Sequence, residues 1–174
     1  MKKYLPLALV TPLVVLLDQF SKWLIITRVE MGQKVTVWEG FFDIVHVHNQ
    51  GAAFGLFSEW DYPHREWFFY AVSAVALTIL ISLYVKSRPD ERRIHIPLAL
   101  ILGGAIGNLI DRLRQGEVVD FLRLHWHNQT AEFVLLGKPY KIYLVWPSFN
   151  IADAAITCGA IYLAIVILFL DRKK

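Results

Sequence analysis

Four apolar runs, each long enough to cross a lipid bilayer as a helix, limit what this chain can fold into. They cover about residues 4–27, 67–85, 94–110 and 151–170. A helix rises about 1.5 Å per residue, so roughly 20 residues cross a hydrocarbon core of about 30 Å. With 56% hydrophobic residues, a chain of 174 residues is too apolar for an ordinary soluble domain. The sequence therefore predicts a membrane α-helical fold, with four transmembrane helices in a single integral membrane domain over residues 1–174.

The first apolar run also has features of a cleaved signal peptide, because Lys2 and Lys3 precede it. However, no small-x-small cleavage site follows, and the apolar pattern continues past Asp18. We therefore expect this run to be a transmembrane helix.

The basic residues predict the orientation of the chain. Half of the 18 Lys and Arg residues lie in three short segments, residues 2–3, 86–93 and 172–174. Four spans place all three segments, and both termini, on one side, which the positive-inside tendency assigns to the cytoplasm. The net charge of +3 then reflects membrane orientation, and we expect no nucleic acid partner. The longer connections, about 28–66 and 112–149, would face outward.

Both outer connections contain strand patterns. Residues 35–38 (VTVW) and 41–48 (FFDIVHVH) are rich in β-branched and aromatic residues and flank a turn. Residues 132–146 repeat this arrangement around 137–139. We expect a small extracytoplasmic β-sheet that forms a cradle on the outer membrane surface.

The segment 39–55 ends in Asn49 and several small residues, which let another backbone come close. We predict that its edge accepts an extended peptide by backbone pairing. Phe54 would close over that peptide. A simple turn that uses Gly51 and Gly55 at positive φ is the alternative.

Two histidine pairs raise the question of a metal. His46 and His48 alternate along one strand, and His125 and His127 form a similar pair. A metal site needs a third ligand, and no spacing in the sequence identifies one. We therefore predict a polar strand face, no metal site and no cofactor.

Polar side chains also enter the third apolar run. Asn108, Asp111 and Arg112 stand at i, i+3 and i+4, so they share one face of a helix. Gly103 and Gly107 form a G-x-x-x-G that lets another helix approach. An Asp beside an Arg at a helix end also suits an interfacial anchor or a salt bridge, and that alternative stays open.

Further carboxylates are predicted to lie at the same depth in the membrane. Asp18 and Lys22 are four residues apart in the first span, and Asn150 and Asp153 are three apart at the start of the fourth. Asp120 follows two valines in the outer connection. Charged groups in a membrane are costly, so such residues usually have a partner or a function. A structural ion pair is the alternative for Asp18 and Lys22.

Asp120 and Asp153 are candidates for a catalytic pair. Two carboxylates close together in a low-dielectric site cannot both ionise easily, so the pair tends to hold one proton. The ionised member can take a proton from water while the protonated member polarises a peptide carbonyl. This is aspartic-protease chemistry.

Five motifs carry a resemblance to a known family. They are DQFSK (18–22), NQGAAFG (49–55), GGAIGNLIDR (103–112), VVDF (118–121) and FNIAD (149–153). In this order they resemble the bacterial signal peptidase II family, the lipoprotein signal peptidases. The resemblance implies that Asp120 and Asp153 are the catalytic residues. It also implies functional polar residues at Asp18, Lys22, Asn49, Asn108, Arg112 and Asn150.

The resemblance further implies an aspartic endopeptidase of the bacterial inner membrane, with its site near the outer face. Such an enzyme would act among membrane lipids on diacylglyceryl-modified prolipoproteins and cut just before the lipidated Cys. We expect a monomer. The connection between the two aspartates is longer than usual for the family, with an additional strand pair around residues 137–139.

Two other classes of protein remain as alternatives. Carboxylates and a Lys within helices also occur in proton- or ion-coupled transporters. However, the sequence has no obvious inverted repeat, and its carboxylates gather at one face instead of the bilayer midplane. A non-enzymatic membrane scaffold would leave the paired carboxylates unexplained.

Overall fold

In the computed structural model, the described residues are 2–51, 65–135 and 138–170. The elements in chain order are α1 (Leu5–Arg28), β1 (Lys34–Trp38), β2 (Phe42–Asn49), α2 (Arg65–Lys86), α3 (Arg92–Gln115), β3 (Val118–Leu135), β4 (Lys138–Val145) and α4 (Ile151–Ile165), which continues as a π-helix over Val166–Leu170. All four helical segments are long and apolar enough to cross a membrane. The predicted membrane helical fold with a small antiparallel sheet is confirmed.

Helix α3 is the central helix, and α1, α2 and α4 all pack against it. Two glycines permit the close approach of α1. A Cβ atom on Gly103 would lie 2.8 Å from Cβ of Val14, and one on Gly107 would lie 2.6 Å from Oδ2 of Asp18. The G-x-x-x-G seen in the sequence therefore faces α1 directly.

Helix α3 extends beyond the predicted span of 94–110, through Gln115. Asp111 and Arg112 therefore lie on the same helix as Asn108, as their spacing predicted. The helix ends at Gly116, which has φ +77° and donates its backbone N–H to the carbonyl of Arg112. Glycine favours this ending because a left-handed residue with a Cβ is strained.

The four strands form one antiparallel sheet in the order β1-β2-β3-β4. β3 is 18 residues long; its first part pairs with β2 and its second part with β4. Between these parts His127 has φ +47°, and its ring lies so close to Gly40 that a Cβ there would be 2.8 Å from Cδ2 of the ring. The two predicted hairpins are therefore joined through one long strand.

The predicted edge strand in segment 39–55 is wrong over part of its length. From Phe42 to Ile44, β2 is paired on both sides, with β1 and with β3. The alternating pattern predicts a strand, but strand order depends on long-range pairing that local sequence does not specify. Residues 52–64, including Phe54, lie outside the described residues.

The sheet lies at one end of the helices. β1 follows α1, β3 follows α3, and β4 leads into α4. The backbone N–H groups of Phe121 and Leu122 both donate to the carbonyl of Phe149, at 3.0 and 2.8 Å, which fixes β3 to the segment before α4. A buried apolar cluster of Ile25, Val119 and Phe121 packs α1 against β3. These contacts bring the polar residues of both connections to one place.

Candidate active site

The deepest part of the polar cluster is an ion triad between α1 and α3. Nζ of Lys22 lies 2.8 Å from Oδ2 of Asp18 and 2.7 Å from Oδ2 of Asp111. All three side chains are almost fully buried. The predicted pairing of Asp18 with Lys22 is present, and Asp111 joins it from the neighbouring helix. Buried charges of this kind need opposite charges and hydrogen bonds to compensate for lost hydration.

Asn108 connects this triad to the carboxylate at the start of α4. Its Oδ1 accepts hydrogen bonds from Nζ of Lys22 at 3.0 Å and from Nδ2 of Asn150 at 3.2 Å. Because Oδ1 accepts both bonds, Nδ2 is fixed as the donor, and it donates to Oδ1 of Asp153 at 2.8 Å. Asn108 therefore fixes the orientation of the Asp153 carboxylate.

Asp120 is the third residue of β3 and is 2% exposed. Its Oδ1 accepts from Nδ2 of Asn150 at 2.8 Å, and its Oδ2 accepts from Nδ2 of Asn49 at 3.0 Å. Burial, and after it the negative charge of Asp153, raises the pKa of Asp120 to about 7, while the two amide hydrogen bonds lower that pKa. The Asp120 carboxyl group can therefore carry a proton near neutral pH.

Asp153 and Asn150 form a capping box at the start of α4. The Asn150 side chain accepts from the backbone N–H of Asp153 at 2.9 Å, and Oδ2 of Asp153 accepts from the backbone N–H of Asn150 at 3.3 Å. Polar residues three apart before an apolar run are the usual sequence signal for this cap. A carboxylate in the first turn of a helix is favoured by the helix dipole. Asn150 contacts both aspartates, so one asparagine links the two candidate catalytic carboxylates.

Arg112 lies beside this group and contacts the segment after β2 and helix α2. Its Nη2 donates to the carbonyl of Gly51 at 3.2 Å, just after β2, and its guanidinium carbon lies 5.2 Å from the ring centroid of Phe69 on α2. The Tyr70 hydroxyl donates to the backbone carbonyl of Arg112 at 3.0 Å. These contacts make Arg112 more than an isolated interfacial charge.

Sequence reasoning missed Gln19. Its Nε2 donates to Oδ1 of Asp111 at 2.8 Å and to the carbonyl of Gly107 at 3.2 Å. Lys22 was identified because it stands four residues after Asp18. Gln19 stands only one residue after Asp18, so helical spacing did not select it. Its place beside Asp18 inside an apolar run was the available signal.

Two backbone donors were also missed. The N–H of Ala152 donates to Oδ1 of Asp18 at 2.9 Å, and the N–H of Val119 donates to Oδ2 of Asp111 at 3.2 Å. No side-chain pattern can identify such donors. Val119 directly precedes Asp120, so Asp111 helps to place the strand that carries it.

The histidine candidates lie outside this polar cluster. Phe54 is outside the described residues. His46 and His48 lie on β2, His125 contacts Asp43 with Nε2 at 3.0 Å from Oδ2, and His127 packs apart from His125 against Gly40. Within the residues that the structure describes, no three side chains of His, Cys, Asp or Glu could together hold a metal ion.

Comparison with known proteins identifies the family. A family model described as signal peptidase (SPase) II matches residues 10–169. The chain is 38% identical over 175 residues to a lipoprotein signal peptidase of Syntrophus aciditrophicus, which covers 100% of this chain and 99% of the relative. It is 42% identical over 153 residues to a lipoprotein signal peptidase of Syntrophotalea carbinolica, which covers 88% of this chain and 84% of the relative.

Solved structures agree with this assignment. One bacterial membrane enzyme determined by the in meso method at 2.3 Å resolution superposes with a TM-score of 0.74 at 29% identity, over 97% of this chain and 92% of the other. Another, at 1.9 Å resolution, gives a TM-score of 0.73 at 29% identity, over 94% of this chain and 92% of the other. The four-helix arrangement with its sheet is therefore shared with experimentally determined membrane enzymes.

Proposed function

The chain belongs to the signal peptidase II family and is a multi-pass membrane peptidase, and on that premise we propose that it removes signal peptides from prolipoproteins with Asp120 and Asp153 as its catalytic residues. Membership of a peptidase family favours an enzyme over the transporter and the scaffold considered from the sequence. The observation that carries the choice of catalytic residues is the pairing of the two carboxylates through Asn108 and Asn150.

The electrostatics of the two carboxylates support complementary roles. The pKa of Asp120 is raised to about 7 by burial and by Asp153, so Asp120 is the better candidate for the proton-bearing member. Asp153 is less buried and lies in the first turn of α4, where the helix dipole favours negative charge. We therefore assign Asp153 as the base and Asp120 as the acid.

The reaction that follows needs one water molecule and one shared proton. Asp153 takes a proton from the water while the water oxygen bonds to the scissile carbonyl carbon, and Asp120 protonates the carbonyl oxygen. In the second step the C–N bond breaks, and the leaving nitrogen takes the proton from Asp153. One hydroxyl of the intermediate returns its proton to Asp120 as the new carboxyl group forms. The pair ends in its starting protonation state.

The names of the relatives support a lipoprotein substrate. The curated relatives are called lipoprotein signal peptidases, so we propose that the substrate is a diacylglyceryl-modified prolipoprotein cut just before its lipidated Cys. The basic segments on one side of the membrane support cytoplasmic termini. The sheet and the aspartates would then lie at the outer face of the bacterial inner membrane, in a single domain that acts as a monomer among membrane lipids.

The proposed residues can be tested by substitution. We expect Asp120→Asn and Asp153→Asn each to reduce cleavage of a lipidated precursor by at least about 1,000-fold, because Asn keeps the shape but cannot exchange the proton. Mass spectrometry of the products would locate the cut relative to the Cys. Asp90→Asn is the matched control, since Asp90 pairs with Arg88 on an exposed surface.

Membrane insertion and thermal melting of each variant would separate catalysis from folding. A folded Asp120 or Asp153 variant that retained near-normal turnover would exclude that residue from the catalytic pair. A cut at a position other than the Cys would refute the proposed specificity while leaving the pair in place.

A further inference from the structure

Glu117 connects the end of α3 to the end of β2 through both oxygens of its carboxylate. Oε2 of Glu117 accepts a hydrogen bond from Nδ1 of His48 at 2.9 Å, and Oε1 accepts one from Nε2 of Gln50. Glu117 follows Gly116, the left-handed residue at which α3 ends, and it precedes β3. Its backbone carbonyl accepts from Nε2 of Gln115 at 3.3 Å. One carboxylate therefore attaches two residues near the end of β2 to the end of α3.

The two residues that Glu117 binds stand on either side of Asn49. Asn49 is the last residue of β2, and its register partner on β3 is Val118. The register of β2 with β3 ends at this pair, and the end of a paired strand opens at little cost in free energy. The contacts of Glu117 continue the attachment beyond that pair, so they restrain the chain before and after Asn49.

The Asn49 side chain has a fixed orientation against Asp120. Its Oδ1 accepts from the backbone N–H of Gly51 at 2.9 Å, so its Nδ2 is the donor, and Nδ2 lies 3.0 Å from Oδ2 of Asp120. A displacement of the strand end by about 1 Å would break this hydrogen bond. We propose that Glu117 is a positioning residue that holds the Asn49 amide against the Asp120 carboxylate. The consequence for catalysis rests on the proposed function of Asp120.

Two explanations of the Glu117 contacts predict opposite effects on Asp120. If Glu117 acted only through its negative charge, that charge would raise the pKa of Asp120, and its removal would lower the pKa. If Glu117 positions Asn49, its removal weakens a hydrogen bond that lowers the pKa of Asp120, and the pKa rises. The direction of the change in pKa therefore separates positioning from a simple charge effect.

Other charged groups also face these two carboxylates. Those that interact with Asp120 come from three helices and are Asp153, Lys22 and Arg112. Glu117 is faced by His48 from β2. Glu66 of α2 lies near the same turn, since a Cβ on Gly116 would be 3.8 Å from its Oε1. All of these residues are retained in the variants that test the proposal.

Carbon-13 NMR would measure the pKa of Asp120 directly in protein labelled at the aspartate carboxyl carbons. The Asp120 signal would be assigned by its absence from Asp120→Asn. We expect Glu117→Ala to raise this pKa by about 0.5 to 1, because a hydrogen bond from an amide to a carboxylate is weakened. Glu117→Asp keeps the negative charge but is one methylene shorter. It cannot reach both partners, so it should change the pKa in the same direction.

Glu132→Ala is the matched control, because it removes an exposed carboxylate of β3 that pairs with Lys141 on the hairpin. It should leave the pKa of Asp120 unchanged. A double variant tests the route through Asn49. In the Asn49→Ala background, Glu117→Ala should not raise the pKa further, because the hydrogen bond is already absent.

A pKa of Asp120 that falls or stays constant in folded Glu117→Ala would overturn the proposal. A further rise in the Asn49→Ala background would also overturn it, and so would a wild-type pKa in folded Glu117→Asp. Thermal melting would establish that each variant is folded.

Kinetics separate this inference from the proposed function. If Asp120 is the catalytic acid, the alkaline limb of the kcat/KM profile should move in Glu117→Ala together with the pKa measured by NMR. A higher NMR pKa with a fixed alkaline limb would support the positioning by Glu117 and refute the catalytic role of Asp120.

Discussion

The ammonium group of Lys22 lies between the carboxylates of Asp18 and Asp111, so one positive charge serves two negative ones inside the helix bundle. Backbone N–H groups from Ala152 and Val119 donate to the same carboxylates. Two elements beyond the triad are thereby attached to it, α4 through Ala152 and β3 through Val119. The triad consequently determines where both aspartate-bearing segments lie.

Removal of the Lys22 charge should therefore destabilise the protein strongly. We expect Lys22→Met to lower the free energy of unfolding by about 3–5 kcal/mol, because two buried carboxylates would lose their counterion. Adding Asp18→Asn should restore part of this loss, since it removes one of the unpaired charges. Thermal melting in detergent would measure both effects.

Lys34→Met is the control for this series, because Lys34 is 47% exposed and lies 4.0 Å from Asp43. It should change the melting temperature little. A double variant Lys22→Met, Asp18→Asn that melts below Lys22→Met would contradict the charge-balance explanation.

A second residue-scale prediction concerns pH. The Asp120 pKa of about 7 predicts that kcat/KM falls as the pH rises through about 7, because the proton-bearing form is lost. The hydrogen bond from Asn49 stabilises the ionised form and lowers this pKa. Asn49→Ala should therefore raise the pKa and move the alkaline limb of the profile to higher pH.

Profiles of kcat/KM measured between about pH 5 and pH 9 would detect this displacement. Gln129→Ala removes an exposed amide from β3 and should leave the limb in place. An alkaline limb that stays fixed or moves to lower pH in Asn49→Ala would mean that Asn49 does not tune Asp120.

The residues of the site differ in how visible they are in the sequence. Asp18 and Lys22 can be recognised because helical spacing brings them to one face of α1. Asp120 can be recognised because a carboxylate directly after two valines is costly unless it has a partner or a function. Gln19 was missed because helical spacing within α1 does not report its hydrogen bonds to Asp111 and Gly107 on α3. Phe54 stays a prediction, since it lies outside the described residues.

At the scale of elements, β3 joins the two halves of the sheet, because it pairs with both β2 and β4. The sequence predicted the hairpin around residues 137–139 but not that β3 begins at Val118, which places Asp120 on a strand. The alternation of apolar and polar residues over 122–125 was an available strand signal. Pairing of β3 with both β2 and β4 could not be predicted, because register and strand order arise from contacts distant in sequence.

Arg112 also acts at this scale, because it joins the end of α3 to the end of β2 and to α2. We expect Arg112→Lys to reduce kcat/KM at least about 10-fold, since an ammonium group cannot stack on Phe69 and also reach the Gly51 carbonyl as a planar guanidinium does. Steady-state kinetics would measure the loss. Arg114→Lys is the control on the same helical turn. Full activity in Arg112→Lys would show that only the charge is needed.

At the scale of the whole molecule, the helices differ in how they use their apolar surface. The apolar window of α3 is 56% buried within the protein, whereas that of α2 is only 11% buried. α3 therefore forms the protein core, and most of the α2 surface is available to lipid. Asn108 and Arg112 lie on α3, so the candidate site begins where the buried core meets the lipid-facing helices.

This arrangement predicts that cleavage requires the acyl chains of the substrate. Each buried methylene group contributes about 0.8 kcal/mol, so two chains lying along apolar helices can supply most of the binding free energy. The polar groups described here are largely engaged with one another, which leaves few to hold a bare peptide. We expect kcat/KM for the diacylglyceryl-modified precursor to exceed that for the same unmodified precursor by at least about 1,000-fold. Both substrates should be assayed in one detergent, with Asp120→Asn as the inactive control, and equal rates would place substrate recognition in the peptide instead of the lipid.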